Sequence, residues 1–257
     1  MLELNKVYCM DNLELLKQTP DNYIDLIYCD ILYGTGRNFG DYQDLKPIRS
    51  EIEAHYIPRL KEMHRVLKST GSIYLQMDTK INHWIRCLMD DVFGYENFRN
   101  EIIWGYRIQG VSKSKYPSKH DHILYYSKTD KRTYKPEKER IYYEKQFFDV
   151  QTDENGRFYS DVYVRDIWDC DITKPLISGS KEYLKYPTQK PKALIERIIK
   201  ASSNEGDIVA DFYMGSGTSM VVAKELNRQF IGCDISQKAV GITNQRLEES
   251  INTNKLF

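Results

Sequence analysis

Four consecutive residues near the start of the chain have the side chains needed to bind a flat molecule that carries an amine. They are Asp30, Ile31, Leu32 and Tyr33, and they follow a short apolar run at residues 24–29. A carboxylate can accept a hydrogen bond from an amine, and an aromatic ring can stack on a planar base. A structural Asp beside a core Tyr at the end of a strand is the alternative, and this motif alone favours it.

A second group of residues resembles a nucleotide-binding turn. The run from Asp211 to Thr218 contains Gly215 and Gly217, and Asp234 ends the next apolar run. Glycines allow a backbone to approach a ligand closely, and a carboxylate at this spacing can accept hydrogen bonds from two ribose hydroxyls. An ordinary strand–helix turn with a solvated Asp234 is the alternative. The place of a third fingerprint glycine is taken by Met220, which disfavours a dehydrogenase, and no Lys follows the loop, which disfavours a Walker phosphate site.

These groups are spaced along an alternation of strand and helix patterns. Short apolar runs that end in Asp or Gly predict buried strands at 6–10, 24–29, 72–77, 207–213 and 229–233. Apolar residues at helical spacing predict helices at 52–67, 192–201 and 218–226. The fold class is therefore α/β with a mostly parallel sheet, in which ligands bind at the carboxyl ends of the strands.

The charge of the chain is unevenly distributed. Its 257 residues hold 37 basic and 37 acidic side chains, a formal net charge of zero, which argues against a uniformly basic nucleic-acid coat protein. Residues 106–146, however, hold 11 Lys and Arg against 5 Asp and Glu, and seven Tyr lie among them. Interleaved cations and aromatic rings suit phosphate contacts and base stacking, although a solvated surface loop is the commoner explanation. Residues 106–186 are predicted to be an insertion that begins with core strands and becomes rich in loops.

Other residue types exclude several classes of protein. The five cysteines are odd in number, scattered and without a C-x-x-C pair, which favours reduced thiols in a cytoplasm. His120 and His122 lack a third ligand nearby, so no metal site is expected. No signal-peptide pattern and no apolar run of roughly 18 residues is present, so we expect a soluble cytoplasmic protein without a membrane partner.

Taken together, these motifs resemble those of the β-group DNA amino-methyltransferases, bacterial enzymes that methylate exocyclic amines of DNA bases. The resemblance extends over nearly the whole chain and adds four further stretches. They are residues 65–74, 97–104, 120–128 and the sequence Pro187-Thr188-Gln189-Lys190-Pro191. Asp rather than Ser at position 30 is the adenine-type form of the family motif.

The resemblance implies a class I methyltransferase fold, Rossmann-like and circularly permuted, with an inserted DNA-recognition region. It implies a catalytic half at 1–105, late core strands plus the recognition insertion at 106–186, and a cofactor-binding half at 187–257. The implied cofactor is S-adenosylmethionine. Its binding residues would be Asp11, Asp30, Thr188, Lys190, Asp211, Phe212, Gly215, Ser216, Gly217, Thr218 and Asp234.

The implied reaction transfers a methyl group to N6 of an adenine that has been flipped out of duplex DNA. Asp30 and the carbonyl of Ile31 would accept hydrogen bonds from the amine, and Tyr33 would stack on the base. No covalent enzyme intermediate is needed. DNA contacts are expected from the insertion, with phosphate-binding or base-reading roles for Arg107, Lys113, Lys115, Lys119, Lys131, Arg132 and Arg140. The resemblance leaves open a homodimer and a separate cognate restriction endonuclease, and it implies a location at the nucleoid.

Two departures from the family are present: Tyr213, where Phe is common, is mild, whereas the other matters for activity. The usual motif is D-P-P-Y, whereas Ile31 and Leu32 occupy the proline positions. Prolines restrict the backbone, so their absence predicts either reduced turnover or a backbone held in place by its neighbours. A catalytically weakened or inactive DNA-binding homologue, an N4-cytosine methyltransferase, and a methyltransferase for RNA or protein remain as alternatives.

Overall fold

The centre of the protein, seen here in a computed structural model, is a β-sheet in which strands from both ends of the chain lie side by side. The structure describes residues 2–38, 40, 42–106, 112–169, 175–176, 179–186 and 188–253. The strands are β1 (Lys6–Cys9), β2 (Ile24–Asp30), β3 (Leu67–Met77), β4 (Phe98–Gly105), β5 (His120–Ser127), β6 (Lys138–Tyr143), β7 (Gln151–Thr152), β8 (Phe158–Tyr163), β9 (Ile167–Trp168), β10 (Ile208–Asp211) and β11 (Gln229–Asp234). The helices are α1 (Asn12–Gln18), α2 (Arg49–Val66), α3 (Asn82–Phe93), α4 (Lys192–Ser202), α5 (Thr218–Glu225) and α6 (Gln237–Thr253), with a 3₁₀ turn at Tyr95–Asn97.

The strand order explains how distant parts of the sequence meet. The central sheet runs β1-β11-β10-β2-β3-β5-β4-β9 across the described residues. The first five strands in this order, β1, β11, β10, β2 and β3, are mutually parallel. Strand β5 is antiparallel to both β3 and β4, and β9 is parallel to β4. Because β10 pairs directly with β2, the carboxyl ends of an early strand and a late strand are neighbours. The predicted mostly parallel, permuted α/β sheet is confirmed.

Helices cover both faces of this sheet, as the alternation of side chains along β2 requires. Ile27 and Cys29 belong to the apolar cluster under α1, α2 and α3. Leu26 and Tyr28 belong to the cluster under α4, α5 and α6. A strand buried on both faces reads as a continuous apolar run, which is why β2 was recognisable in the sequence.

The three predicted helices are present, with shifted ends. The helix predicted at 52–67 begins at Arg49, and Leu67 is the extended residue with which β3 begins. Helices α1, α3 and α6 were not predicted. No helix within the described ranges is both long enough and apolar enough to cross a bilayer.

The part of the chain between β5 and β9 forms a second, smaller sheet. Strands β6, β8 and β7 form this antiparallel sheet in the order β6-β8-β7. The chain then returns to the central sheet, where β9 pairs with β4. The region predicted as an insertion therefore contains a core strand, a separate sheet and a short returning strand, and the proposed limits of the three regions stay a prediction.

Candidate active site

A cavity of about 540 Å³ opens at the carboxyl ends of β10 and β2. The backbone N–H of Phe212 lies 3.4 Å from Cys29 Sγ, so the two strand ends touch. Most of the residues predicted to bind the cofactor or carry out the reaction line this cavity. They are Asp11, Asp30, Ile31, Tyr33, Thr188, Lys190, Asp211, Phe212, Gly215, Ser216, Thr218 and Asp234.

The carboxylate of Asp30 is held from two sides. Its Oδ1 accepts a hydrogen bond from the Tyr33 hydroxyl at 2.7 Å, and its Oδ2 forms an ion pair with the Lys190 ammonium. Burial raises the pKa of the Asp30 carboxyl above its ordinary value, and the Lys190 charge opposes that rise. The ion pair therefore favours the ionised form, which is the form that can accept an amine hydrogen bond.

The backbone of the predicted catalytic motif is held in place without prolines. The N–H of Ile31 donates to the carbonyl of Gln76 at 3.0 Å, and the hydroxyl of Tyr56 donates to the carbonyl of Leu32 at 3.0 Å. The loop that follows is fixed by Asp44, which accepts the N–H groups of Gly34 and Thr35 at 3.1 and 2.7 Å. Neighbouring residues thus restrain the backbone of the motif, which is one of the two outcomes that the missing prolines left open.

The glycine loop is organised largely by its own residues. Asp211 Oδ1 accepts the N–H of Tyr213 at 2.9 Å, and its Oδ2 accepts the hydroxyl of Ser219 at 2.5 Å. Burial raises the pKa of Asp211 to about 7. At the next strand end, Asp234 Oδ2 accepts the N–H of Gly215 at 2.9 Å. The loop and the predicted ribose-binding acid therefore form one unit.

Gly217, which was predicted to bind the cofactor, lies against a neighbouring helix. It does not line the cavity, and its φ of 72° lies in the left-handed region. A Cβ at this position would lie 2.2 Å from Thr243 Cγ2 on α6. A glycine is needed here because α6 packs against the start of α5, and a role of Gly217 in cofactor binding stays a prediction.

Asp11 is connected to residues that the sequence did not single out. Its Oδ1 accepts the N–H of Leu13 at 2.8 Å and caps α1, and its Oδ2 pairs with Arg59 at 2.8 Å. Arg59 also donates to Asn12 Oδ1 at 2.6 Å, and Asn12 donates to the carbonyl of Phe212 at 3.0 Å. This chain of contacts joins α1, α2 and the glycine loop.

The hydroxyl that distinguishes Tyr213 from the commoner Phe also has a partner. It lies 2.9 Å from His55 Nε2 on α2. Burial, assisted by the Arg59 charge, lowers the pKa of His55 to about 4. The imidazole is therefore neutral near pH 7, and no sequence pattern signalled it.

A buried polar cluster behind Tyr33 was likewise missed. The residues Tyr28, Gln76, Tyr106 and Asp121 connect through hydrogen bonds to the Tyr33 hydroxyl. The available signal was weak: Gln76 is a fully buried polar residue in an otherwise apolar strand, and Asp121 lies in a stretch noted only for its resemblance. Their partners belong to different strands, so spacing alone could not reveal the cluster.

The predicted DNA-contacting residues divide into separate groups. Lys113, Lys115 and Lys119 precede β5 at the edge of the sheet that holds the cavity, whereas Lys131 and Arg132 follow β5 and lie at the opposite edge. Arg140 lies on the small sheet, where its guanidinium pairs with both carboxylate oxygens of Asp161 at 2.8 and 2.9 Å. Arg107 lies outside the described residues.

Comparison with known proteins connects this arrangement to one family. The family described as DNA methylase, of the N6 and N4 types, matches residues 24–245. Type II methyltransferase M.HpaI of Haemophilus parainfluenzae is 34% identical over 248 residues, which are 96% of this chain and 75% of that protein. DNA adenine methyltransferase YhdJ of Escherichia coli strain K12 is 31% identical over 246 residues, which are 93% of this chain and 81% of that protein.

A solved structure agrees with this fold. PvuII DNA methyltransferase, cytosine-N4-specific, has a TM-score of 0.67 at 17% identity and covers 96% of this chain and 90% of that chain. At this identity the likeness bears on the fold alone. The family match extends from β2 into α6 and includes every residue that lines the cavity except Met10, Asp11 and Asn12. The chain therefore belongs to the N6/N4 family of S-adenosylmethionine-dependent DNA methyltransferases.

Proposed function

We propose that this DNA methyltransferase acts on the N6 amine of adenine at specific sites in duplex DNA. The observation that carries the proposal is the position of Asp30, whose carboxylate lines the same cavity as the glycine loop and Asp234. An amine acceptor thus lies beside the proposed cofactor site. Asp at this position is also the adenine-type form of the motif, and the relative YhdJ is described as an adenine methyltransferase.

The side chains and backbone groups of the cavity fit S-adenosylmethionine. The Asp234 carboxylate is oriented by the N–H groups of Ser236 at 2.8 Å and Gly215 at 2.9 Å. A carboxylate at the end of this strand can accept hydrogen bonds from two ribose hydroxyls. Met10 and Ile235 line the cavity and offer apolar surface to an adenine ring. When bound, the cofactor supplies the methyl group.

The protein's part in the reaction is to present the target amine. A paired adenine is hidden in the duplex, so it must be flipped out before it can enter the cavity. Its ring stacks on Tyr33, and its amine donates hydrogen bonds to the carboxylate of Asp30 and the carbonyl of Ile31. These acceptors draw the nitrogen lone pair out of conjugation and aim it at the methyl group. They also stabilise the positive charge that develops during transfer.

The residues around Asp30 determine the charge of its carboxylate, the proposed acceptor of the amine. Lys190 contacts Asp30 Oδ2 and the Tyr33 hydroxyl donates to Oδ1, so the amine would use a second lone pair of one of these oxygens. Lys190 is only 9% exposed in its side chain, so its charge acts through a medium of lower dielectric than water. The pair thus favours the ionised form of the acceptor.

The edge that holds the cavity would face DNA. We propose that Lys113 and Lys115, both exposed, contact phosphates there together with Lys119. The small sheet presents a further surface, on which the Arg140 guanidinium lies 3.8 Å from the centre of the Tyr159 ring. Because Arg140 is already paired with Asp161, base reading by Arg140 would require that pair to open.

The proposal is tested by transfer of labelled methyl from S-adenosylmethionine to duplex DNA, followed by analysis of the modified nucleoside. We expect N6-methyladenine from the wild-type protein. Asp30→Ala should abolish transfer while S-adenosylmethionine still binds, and the exposed Asp91→Ala control should behave as wild type. Formation of N4-methylcytosine would reject adenine specificity, and transfer by Asp30→Ala would reject the role of Asp30.

The departure at Ile31 and Leu32 favours one further candidate, a DNA-binding homologue that has lost catalysis. Binding of duplex DNA that depends on S-adenosylmethionine, without methyl transfer, would establish it. The contacts that hold Ile31 to Gln76 and Leu32 to Tyr56 favour the active enzyme instead.

A further inference from the structure

The hydroxyl of Tyr33 lies between two carboxylates that come from β2 and β5, strands separated in the sheet by β3 alone. It is 2.7 Å from Asp30 Oδ1 and 2.8 Å from Asp121 Oδ2. Asp30 ends β2, whereas Asp121 lies on β5 and is 5% exposed. Tyr33 is therefore tied both to the residue proposed to accept the amine and to a buried acid with no assigned role.

Asp121 is itself firmly held. Gln76 Nε2 donates to its Oδ2 at 2.9 Å, and the Tyr106 hydroxyl donates to its Oδ1 at 3.1 Å. Gln76 in turn accepts the hydroxyl of Tyr28 at 2.7 Å. Gln76 is fully buried and Tyr28 nearly so, which leaves these side chains little freedom to move. The Asp121 carboxylate is thus a fixed reference point for the Tyr33 hydroxyl.

A buried carboxylate of this kind needs an explanation. Its hydrogen-bond donors among the described residues are two hydroxyls and one amide. Neutral donors offset the desolvation of a charge less well than a cation would, so an apolar residue would serve the stability of the sheet at least as well. The contact with Tyr33 supplies a functional reason for the acid.

The geometry of the shared hydroxyl supports that reason. A phenol carries one hydrogen, so it can donate to only one of the two carboxylates at a time. Either choice leaves the ring in the same place, because both oxygens lie within hydrogen-bond distance. The ring would then stay fixed when the Asp30 carboxylate turns its lone pairs toward an incoming amine.

We propose that Asp121 is a positioning residue for methyl transfer, which holds the Tyr33 ring in the orientation that receives the flipped base. The proposal rests on the proposed function, in which Tyr33 stacks on the target. Tyr106 extends the contact further, because it directly follows β4 at the point where the chain enters the segment that precedes β5. The N–H of Tyr106 donates to the carbonyl of Lys119 at 2.9 Å, which joins the two ends of that segment beside Asp121.

The test compares Asp121→Leu with Asp121→Asn in methyl transfer to DNA. Leu removes the acceptor, so we expect kcat to fall by about 10–100-fold, the range that a misplaced reacting group can produce. Asn keeps an oxygen for the Tyr33 hydroxyl and should restore most of kcat. The KM for DNA and the affinity for S-adenosylmethionine should stay near wild type in both, as should all three quantities in the control Glu101→Gln on the adjacent strand.

A double-mutant cycle with Tyr33→Phe separates positioning from a general structural role. If Asp121 acts through the Tyr33 hydroxyl, the double variant Tyr33→Phe/Asp121→Leu should be no slower than the slower single variant. Additive losses, or an unchanged kcat in Asp121→Leu, would overturn the proposal. If the wild-type protein transfers no methyl group, the proposed function fails first and this inference fails with it. Transfer to cytosine instead of adenine would leave the test of Asp121 intact.

The pH profile provides a readout that a structural role would not move. Several titratable groups interact with Asp30 so that one shifts the pKa of the other. They are Lys190, Tyr33, Asp121, Tyr28, Tyr42 and Asp211. The charge of Asp121 helps to raise the pKa of Asp30, so Asp121→Asn should lower the pKa of Asp30. The acid limb of the kcat profile should then move to lower pH, and an acid limb that stays in place would contradict the proposed contact.

Discussion

The two sides of the active-site cavity are built in different ways. On the cofactor side, Asp211 bonds to Tyr213 and Ser219, residues two and eight positions along the chain. On the target side, Asp30 bonds to Lys190, which is 160 positions away, and Tyr33 bonds to Asp121, which is 88 positions away. One side is organised mainly by local contacts, while the other depends on the order of strands in the sheet. Changes in the first should affect folding and cofactor binding, and changes in the second should affect catalysis.

The largest effect on the cofactor side is expected from Gly217→Ala. The new Cβ would overlap Thr243, and φ would remain in the left-handed region, so we expect destabilisation of roughly 2–4 kcal/mol from overpacking and strain together. Gly206→Ala is the matched control, since Gly206 also has a positive φ but has open space around it and should lose only about 1 kcal/mol. Urea unfolding measures both. Equal losses would show that packing against α6 is not the reason for the glycine.

On the target side, Lys190→Met should change the pH dependence of catalysis. The pKa of Asp30 is raised by burial and lowered by Lys190, so loss of the ammonium should raise that pKa further. Transfer needs the ionised carboxylate and declines as pH falls through the pKa, so the acid limb should move to higher pH, with the largest loss of rate on that limb. Lys192→Met, which removes a more exposed ion pair with Glu225, should leave the profile unchanged. A pH profile that does not move in Lys190→Met would show that Lys190 does not influence the Asp30 carboxylate.

The smallest effect is expected from Tyr213→Phe, at the boundary between the two sides. It removes the hydroxyl that contacts His55 and restores the residue that is common in the family. We expect the affinity for S-adenosylmethionine to change by no more than about tenfold, the equivalent of one neutral hydrogen bond. With a pKa of about 4, His55 stays neutral between pH 6 and about 8, so this contact should contribute no pH dependence there. Calorimetric titration across that range checks both points.

The success of the sequence predictions follows the same division. The glycine loop and its acid could be predicted because their residue types occur at fixed short spacings after a buried strand. Helix α2 was predicted because its apolar residues follow the helical period, although its ends were shifted at Arg49 and Leu67. Arg59 and His55 were missed because they lie on a helix whose pattern revealed only its buried side. Asp121 was missed because its partners lie on other strands.

The sequence by itself determined the residue types, the short loops and the strand–helix alternation. These features could be predicted because they depend on local hydrogen bonds and on the periods of helix and strand. Which side chains meet was decided only by the tertiary structure. The pairing of β10 with β2 brings the glycine loop to Asp30, and the pairing of β5 with β3 brings Asp121 to Tyr33. Such contacts depend on how the whole apolar surface is buried at once, and no single segment carries that information.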